Sequence, residues 1–345
     1  MMPTKDNKVL LFERFFYPAD IKAIAGINQL KTLEGKPATL LYGNMPLIGL
    51  VEIGIIERGT NVIEIRPITG CNLRCRFCSV SPWKRQREFV VEPELMIKEL
   101  SKLIAIKTKS LSIFINSQGE PMLYSPLKAL ISMLKKIKEI QNIAMVTNGT
   151  LLNESNIEEL KKAGLNTLFI SLHTTTREKA LALRTNPFPE RTIELAEYAK
   201  SKGIQVAITP VVIFGENDKD IEELAAIASK KGIKLSPQNY LRYKFGEKSY
   251  KEKSFHDFYE WLKGLKKTNP ETFEPLLNIE KDVELSNPFK KGQIIKPRKI
   301  SEGFFKNEII CTLNDRLISV INSKNGSIKA KIIRTKDNII VAKAV

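Results

Sequence analysis

The chain predicts an α/β protein: a partial (β/α)6 barrel with an N-terminal extension and a small C-terminal all-β barrel. Three observations lead there. From about residue 65 to 245, β-rich runs alternate with amphipathic helical stretches, at intervals of roughly 30–40 residues, which implies right-handed βαβ units and a parallel sheet. Six such strands are too few to close an eight-stranded barrel. After about residue 246 the pattern changes to short strands separated by turn signals. The expected divisions are an extension over 1–60, the partial barrel over 61–245, a helical linker over 246–287 and the β-module over 288–345.

The extension is the least regular part. Val9–Tyr17 and Leu47–Glu57 read as strands, and Ile21–Leu30 as a helix that packs on the sheet. In the barrel, the apolar and β-branched runs Val62–Pro67, Ser110–Ile115, Ile143–Thr147, Thr167–Leu172, Gln205–Ile213 and Lys234–Gln238 predict strands. Helical periodicity covers 92–106, 125–139, 154–163, 189–202 and 218–231. Gly164 and Gly203 follow basic residues at two helix ends, the pattern a C-terminal cap prefers. The active face is expected at the strand C-termini.

Phe255–Leu265 is helical, and Asn269–Asn287 reads as an irregular linker with Pro270 and Pro275. Strands are predicted over Gly292–Ile295, Glu308–Leu313, Leu317–Ile321, Ser327–Arg334 and Ile339–Ala342. Asn325-Gly326 and Asp337-Asn338 supply hairpin turns. This layout is that of a small OB-like module.

Composition sets the class. At 345 residues, 43% hydrophobic and 27% charged, the chain can bury a large core. It has no run of eighteen apolar residues and no apolar signal core behind Met1, so neither a membrane span nor secretion is expected. Of the four cysteines, Cys71, Cys75 and Cys78 lie within eight residues, which fits metal ligation in a reducing cytoplasm better than disulfides. The net charge of +17 points to a polyanionic partner or to a lysine-rich solvated surface. Its distribution favours the first: residues 288–345 hold 13 Lys and Arg against 4 Asp and Glu.

Cys71-Asn72-Leu73-Arg74-Cys75-Arg76-Phe77-Cys78 carries the chemistry. Thiolates are the ligands iron–sulfur cores take, and three of them leave one iron of a four-iron cluster open to bind another molecule. A zinc site is the competitor, but it wants four ligands. His173 and His256 are distant in sequence, and Cys311 lies in the β-module.

C-x3-C-x2-C directly after a predicted strand, with an aromatic before the last cysteine, resembles the radical SAM superfamily over roughly residues 62–245. The resemblance implies a single 4Fe-4S cluster on Cys71, Cys75 and Cys78, with S-adenosylmethionine (SAM) chelating the open iron. Reductive cleavage of SAM then yields a 5′-deoxyadenosyl radical that takes a hydrogen atom from the substrate. Gln118-Gly119-Glu120 looks like the family's Gly-Gly-Glu segment, one glycine short. Gly119 and Glu120 would then hold the SAM amino group. Thr147-Asn148-Gly149 matches a tripeptide of many members, which places Asn148 in the cofactor site. Ser171 stands where the family contacts the SAM ribose, and Arg184 resembles the arginine that pairs with the SAM carboxylate. Phe77 would lend its backbone to the adenine edge. His173 is expected to be structural and Cys311 to be a buried apolar residue.

With no second cysteine cluster, relatives that use auxiliary clusters are disfavoured. The basic C-terminal layout resembles a TRAM domain, a small RNA-binding β-barrel. Joined to a radical SAM core, it implies a tRNA-modifying enzyme of archaeal type. Lys290, Lys291, Lys296, Arg298 and Lys299 are the candidate phosphate contacts. Phe289, Phe304 and Phe305 are candidate stacking or core residues. An electron donor such as a ferredoxin or flavodoxin is expected. The alternative is a radical SAM enzyme acting on a small metabolite or peptide, with the β-module in dimerisation or as a lid.

Overall fold

The computed structural model describes residues 15–16, 27–32, 35–323 and 328–345. The chain divides into two compact units. The first comprises residues 1–70, 84–141 and 279–345, and the second 71–83 and 142–278.

In the first unit, Val62–Arg66 pairs in parallel with Leu111–Ile115 and antiparallel with Gly54–Ile56. Helix Pro93–Ile104 starts with proline at its first position and carries Glu94 in the first turn and Lys102 in the last, as the helix dipole favours. It buries Leu95, Met96, Leu100 and Leu103. Leu127–Lys135 is a second helix that buries Leu127, Leu130, Ile131 and Leu134. A separate four-stranded sheet holds Phe15–Phe16, Ile27–Thr32, Pro37–Leu41 and Glu88–Val91, the last two in parallel.

This corrects the expectation for the extension. Residues 27–30, read as part of a helix, are strand, because Ile27 and Leu30 pair with Leu41 and Ala38. Long-range pairing overrides a local helical period. The remainder, 21–26, and residues 9–14 and 17 of the expected first strand lie outside the described residues. The strand expected over Leu47–Glu57 is reduced to Gly54–Ile56. The backbone before it is used elsewhere: Ile48 and Gly49 carbonyls accept from Leu317 and Ile340 N–H groups, each at 2.7 Å.

Those two bonds tie in the C-terminal module. It is a curled, six-stranded half-barrel built from Ile294–Ile295, Ala330–Arg334, Val341–Ala344, Arg316–Ile321, Glu308–Leu313 and Arg298–Glu302, in that spatial order. All pairs are antiparallel except Arg316–Ile321 with Val341–Ala344. Its core holds Phe289, Ile309, Cys311, Ile318, Val320 and Ile332. Arg298–Glu302 is a strand the sequence reading did not include. Asn314 and Asp315, both at positive φ, make a two-residue hairpin it also missed. Asp337-Asn338 forms the expected turn, with φ of 58° and 53°. Asn325-Gly326 lies outside the described residues.

In the second unit, Ile140–Thr147, whose first two residues belong to the first unit, pairs in parallel with Thr167–Ile170. Gln205–Ile208 and Lys234–Leu235 follow in the same sense. Two expected strands are each split by a proline, Pro210 and Pro237, which lack a ladder N–H. Beyond the breaks, Val211–Val212 and Gln238–Asn239 pair in parallel again. Helices Glu154–Ala163, Pro189–Ser201 and Asp218–Lys231 lie where periodicity placed them. Asn153 and Asn156 close a reciprocal cap on the first of these. Arg177–Leu183 is an additional helix too short for periodicity to reveal, and Phe255–Thr268 follows the strands. Among the described residues no helix is long and apolar enough to cross a membrane.

Candidate active site

The cysteines lie on an irregular loop, each partly exposed. Cys78 N–H donates to the Cys75 carbonyl at 3.1 Å, and Ser81 N–H donates to Cys78 Sγ at 3.2 Å. Asn148 Nδ2 lies 4.0 Å from Cys71 Sγ and donates to Asn72 Oδ1 at 2.9 Å. Asn72 in turn donates to Thr150 Oγ1 at 2.8 Å. N–H groups aimed at sulfur stabilise thiolate and tune an iron–sulfur centre. Burial first, then the neighbouring Cys78 and Cys71, push the Cys75 thiol far above its ordinary pKa. A cationic iron core supplies the charge that would make it a thiolate. Among the described residues no three His, Cys, Asp or Glu side chains gather closely enough for one metal ion. Three thiols on one short loop are the kind of donor set an iron–sulfur cluster takes.

Beneath this loop, Phe77 is buried with Leu183, Ile213 and Tyr240, and Cys75 packs on the same cluster. The Phe77 ring meets His173 edge-on at 4.6 Å. His173 is buried, accepts the Val211 N–H at its Nδ1 (3.0 Å), and burial lowers its pKa to about 3. It is therefore a neutral, hydrogen-bonded wedge behind Phe77. Arg76 N–H donates to the Leu183 carbonyl at 3.1 Å. Leu183 ends the short helix, and Arg184 caps it in the left-handed region (φ 56°), its side chain exposed. Ser171 follows its strand directly and donates its N–H to the Thr147 carbonyl at 2.8 Å.

In the first unit, Gly119 and Glu120 lie against the residue that precedes Cys71. Glu120 N–H donates to the Gly70 carbonyl at 2.8 Å. A Cβ on Gly119 would stand 2.0 Å from that same oxygen, so no other residue fits. The Glu120 carboxylate is buried and accepts from Met122 N–H at 2.9 Å, which caps the turn Pro121–Leu123.

Sequence reasoning missed Arg85, which is 3% exposed. Its guanidinium donates to the Thr69 carbonyl at 3.2 Å and to Gln118 Oε1 at 2.5 Å. It thereby joins Thr69 to the Gln-Gly-Glu segment. Phe304 of the β-module lies under it, 5.4 Å from ring centroid to guanidinium carbon, and meets Phe89 at 4.6 Å with the rings tilted by 46°. No motif marks an arginine seven residues past Cys78. Phe289 and Phe304 are core residues, while Phe305 is half-buried. Lys290, Lys291, Lys296, Arg298 and Lys299 are all exposed, and Lys299 pairs with Glu302. Cys311 is wholly buried, and burial pushes its thiol up to about 12.

The radical SAM superfamily model matches residues 65–228. The uncharacterized protein MJ0103 of Methanocaldococcus jannaschii is 32% identical, over 92% of this chain and 83% of its own length. GTP 3′,8-cyclase of Aquifex aeolicus is 30% identical, over 54% of this chain and 58% of its own. Among solved structures, Streptococcus suis SuiB bound to S-adenosylmethionine aligns with a TM-score of 0.50 and 23% identity. That alignment covers 60% of this chain and 47% of SuiB, and it shows the shared fold alone.

Proposed function

The chain belongs to the radical SAM superfamily, and we propose that it is an enzyme that modifies a nucleoside within RNA, most naturally tRNA. When bound, the cluster and SAM together supply one-electron cleavage of the sulfonium and hydrogen-atom abstraction from the substrate, with the electron coming from a donor protein. In this reading Cys71, Cys75 and Cys78 hold the irons, and Ser81 N–H and the Asn148 amide tune their sulfurs. Glu120 accepts from the SAM ammonium, and Gly119 and Arg85 keep that carboxylate's segment in place. Ser171, Arg184 and the Phe77 backbone take the ribose, carboxylate and adenine, as the family resemblance assigns them.

The observation that carries the RNA reading is the outer face of the β-module. Lys331 and Lys343 stand directly opposite one another on antiparallel strands, both exposed, with exposed Lys329 close by in sequence. Like charges so placed are destabilising. A bridging phosphate offsets that cost, and Lys290, Lys291, Lys296, Arg298 and Lys299 extend the charge along the module's edges. A protein selected for stability alone would separate such a pair.

A small nucleotide substrate is the second reading. It is favoured by the likeness to proteins named GTP 3′,8-cyclase, of which this chain spans 58% and 61% in two cases and 80% in a third. Mass spectrometry of tRNA nucleosides from cells lacking the protein separates the two. Loss of one modified nucleoside is the expected result. An unchanged nucleoside profile in tRNA and other RNAs would refute the RNA reading.

A further inference from the structure

Residues 242–253 hold five Lys and Arg against two Glu, with Tyr243, Phe245 and Tyr250 interleaved among them. The backbone of this loop is fixed to the cysteine loop. Glu247 N–H donates to the Cys78 carbonyl at 2.7 Å, and Ser81 Oγ donates to the Glu247 carboxylate at 3.1 Å. Tyr240 Oη donates to the Glu247 carbonyl at 2.8 Å. Gly246 lies so close that a Cβ there would stand 2.7 Å from the Ser79 carbonyl oxygen. Its N–H closes a turn on the Tyr243 carbonyl at 3.2 Å, with Lys244 and Phe245 at the tip.

The aromatic side chains of this segment divide into two groups. Tyr240 and Tyr250 pack on the Phe77 cluster, which folding explains. Tyr243 and Phe245 are 52% and 43% exposed, and Lys244 Nζ sits 5.0 Å from the Phe245 ring centroid. Core packing does not account for two large rings about half exposed on an anchored backbone. Two exposed rings set beside cations on one anchored turn are candidate binding residues. Rings alternating with cations suit a ligand that offers flat π-faces and phosphates in turn. We propose that the Arg242–Phe245 tip is a stacking platform for unpaired bases of a single-stranded RNA segment beside the cysteine loop. Arg242, Lys244 and Lys248 take its phosphates. An acidic electron-donor protein would engage the cations alone and leave the two rings unexplained. This platform rests on the RNA reading and names the part of the substrate it meets.

The test uses the full-length, cluster-reconstituted protein and a short fluorescein-labelled oligouridylate, read by anisotropy over a range of salt. Tyr243→Ala and Phe245→Ala should each weaken binding by about 5- to 100-fold with the salt slope unchanged, because a stacked ring carries no charge. Lys244→Ala should instead lower the slope by about 0.7. Tyr243→Phe, which keeps the ring, should bind as the wild type does, and matched iron content and circular dichroism check that each variant is folded. If Tyr243→Ala and Phe245→Ala bind as tightly as wild type, the platform is wrong while the RNA reading stands. Wild-type RNA affinity intact with slowed reduction by flavodoxin in those variants would assign the tip to the electron donor and overturn the proposal. If the wild type binds neither oligouridylate nor tRNA, the RNA reading falls and takes the platform with it.

Discussion

Gly119→Ala tests whether the Gln-Gly-Glu segment is positioned by backbone contact. The added Cβ would stand 2.0 Å from the Gly70 carbonyl oxygen, 2.6 Å from its carbon and 2.7 Å from the Thr69 oxygen. Real Cβ atoms keep at least 3.0 Å from such neighbours, so one backbone must retreat by about 1 Å, the order of misplacement that costs a catalytic site 10²-fold. All three clashing atoms are backbone, so no rotamer change relieves them. The retreat moves either Glu120 or the residue before Cys71. A 10²-fold loss corresponds to about 2.7 kcal/mol of transition-state stabilisation. The assay is 5′-deoxyadenosine formation from SAM under dithionite, by chromatography, with iron content measured on the same sample. The expected result is a loss of roughly 10²-fold in rate at near-normal iron content. Wild-type rate and wild-type iron together would refute the close approach of Gly119 to Gly70.

Four further outcomes follow from particular contacts. Lys107→Met strands Glu57, since the pair is 2.7 Å apart with both side chains at most 1% exposed. Urea denaturation should show a loss of about 3–5 kcal/mol, with much of it restored by adding Glu57→Gln. His173 has a folded pKa of about 3 against 6.5 for the free side chain. Between those values only the unfolded chain takes up the proton, so stability should fall as pH drops from 6.5 towards 3, and His173→Gln should flatten that part of the pH profile. Lys343→Ala should raise the low-salt melting temperature slightly by relieving Lys331, worth about 0.2–1 kcal/mol, while weakening tRNA binding in the same preparation. Deleting 288–345 should reduce iron retention as well as RNA affinity, because it removes Phe304 from Arg85 and Phe89 and the partners of Ile48 and Gly49.

That last outcome departs from what the chain alone suggests. By sequence, residues 288–345 read as a separate small β-module that follows a linker. Its strands were legible because alternation and turn residues are local. Its membership in the same unit as the barrel's first strands was not, since the links run between residues more than two hundred positions apart. Ile27–Thr32 shows the same limit. The apolar spacing of Ile21–Leu30 suits a helix, and only the pairing of residues 27–30 with 38–41 makes that part strand. Pro210 and Pro237 were visible throughout, and the rule that proline interrupts a ladder could have placed both strand breaks from sequence.

The cysteine loop, the alternation of strands and helices and the surplus of positive charge on the tail were determined by the sequence. Each is a pattern of residue types at short spacing, and short spacing is what local geometry and ligand chemistry read. The tertiary structure decided which residues hold that loop, His173 behind Phe77 and Gly246 with Glu247 on Cys78, and which hold the residues before it, Arg85 between Thr69 and Gln118 and Gly119 against Gly70. These are contacts across long separations, where a single hydrogen bond or an absent Cβ matters and no local period records it.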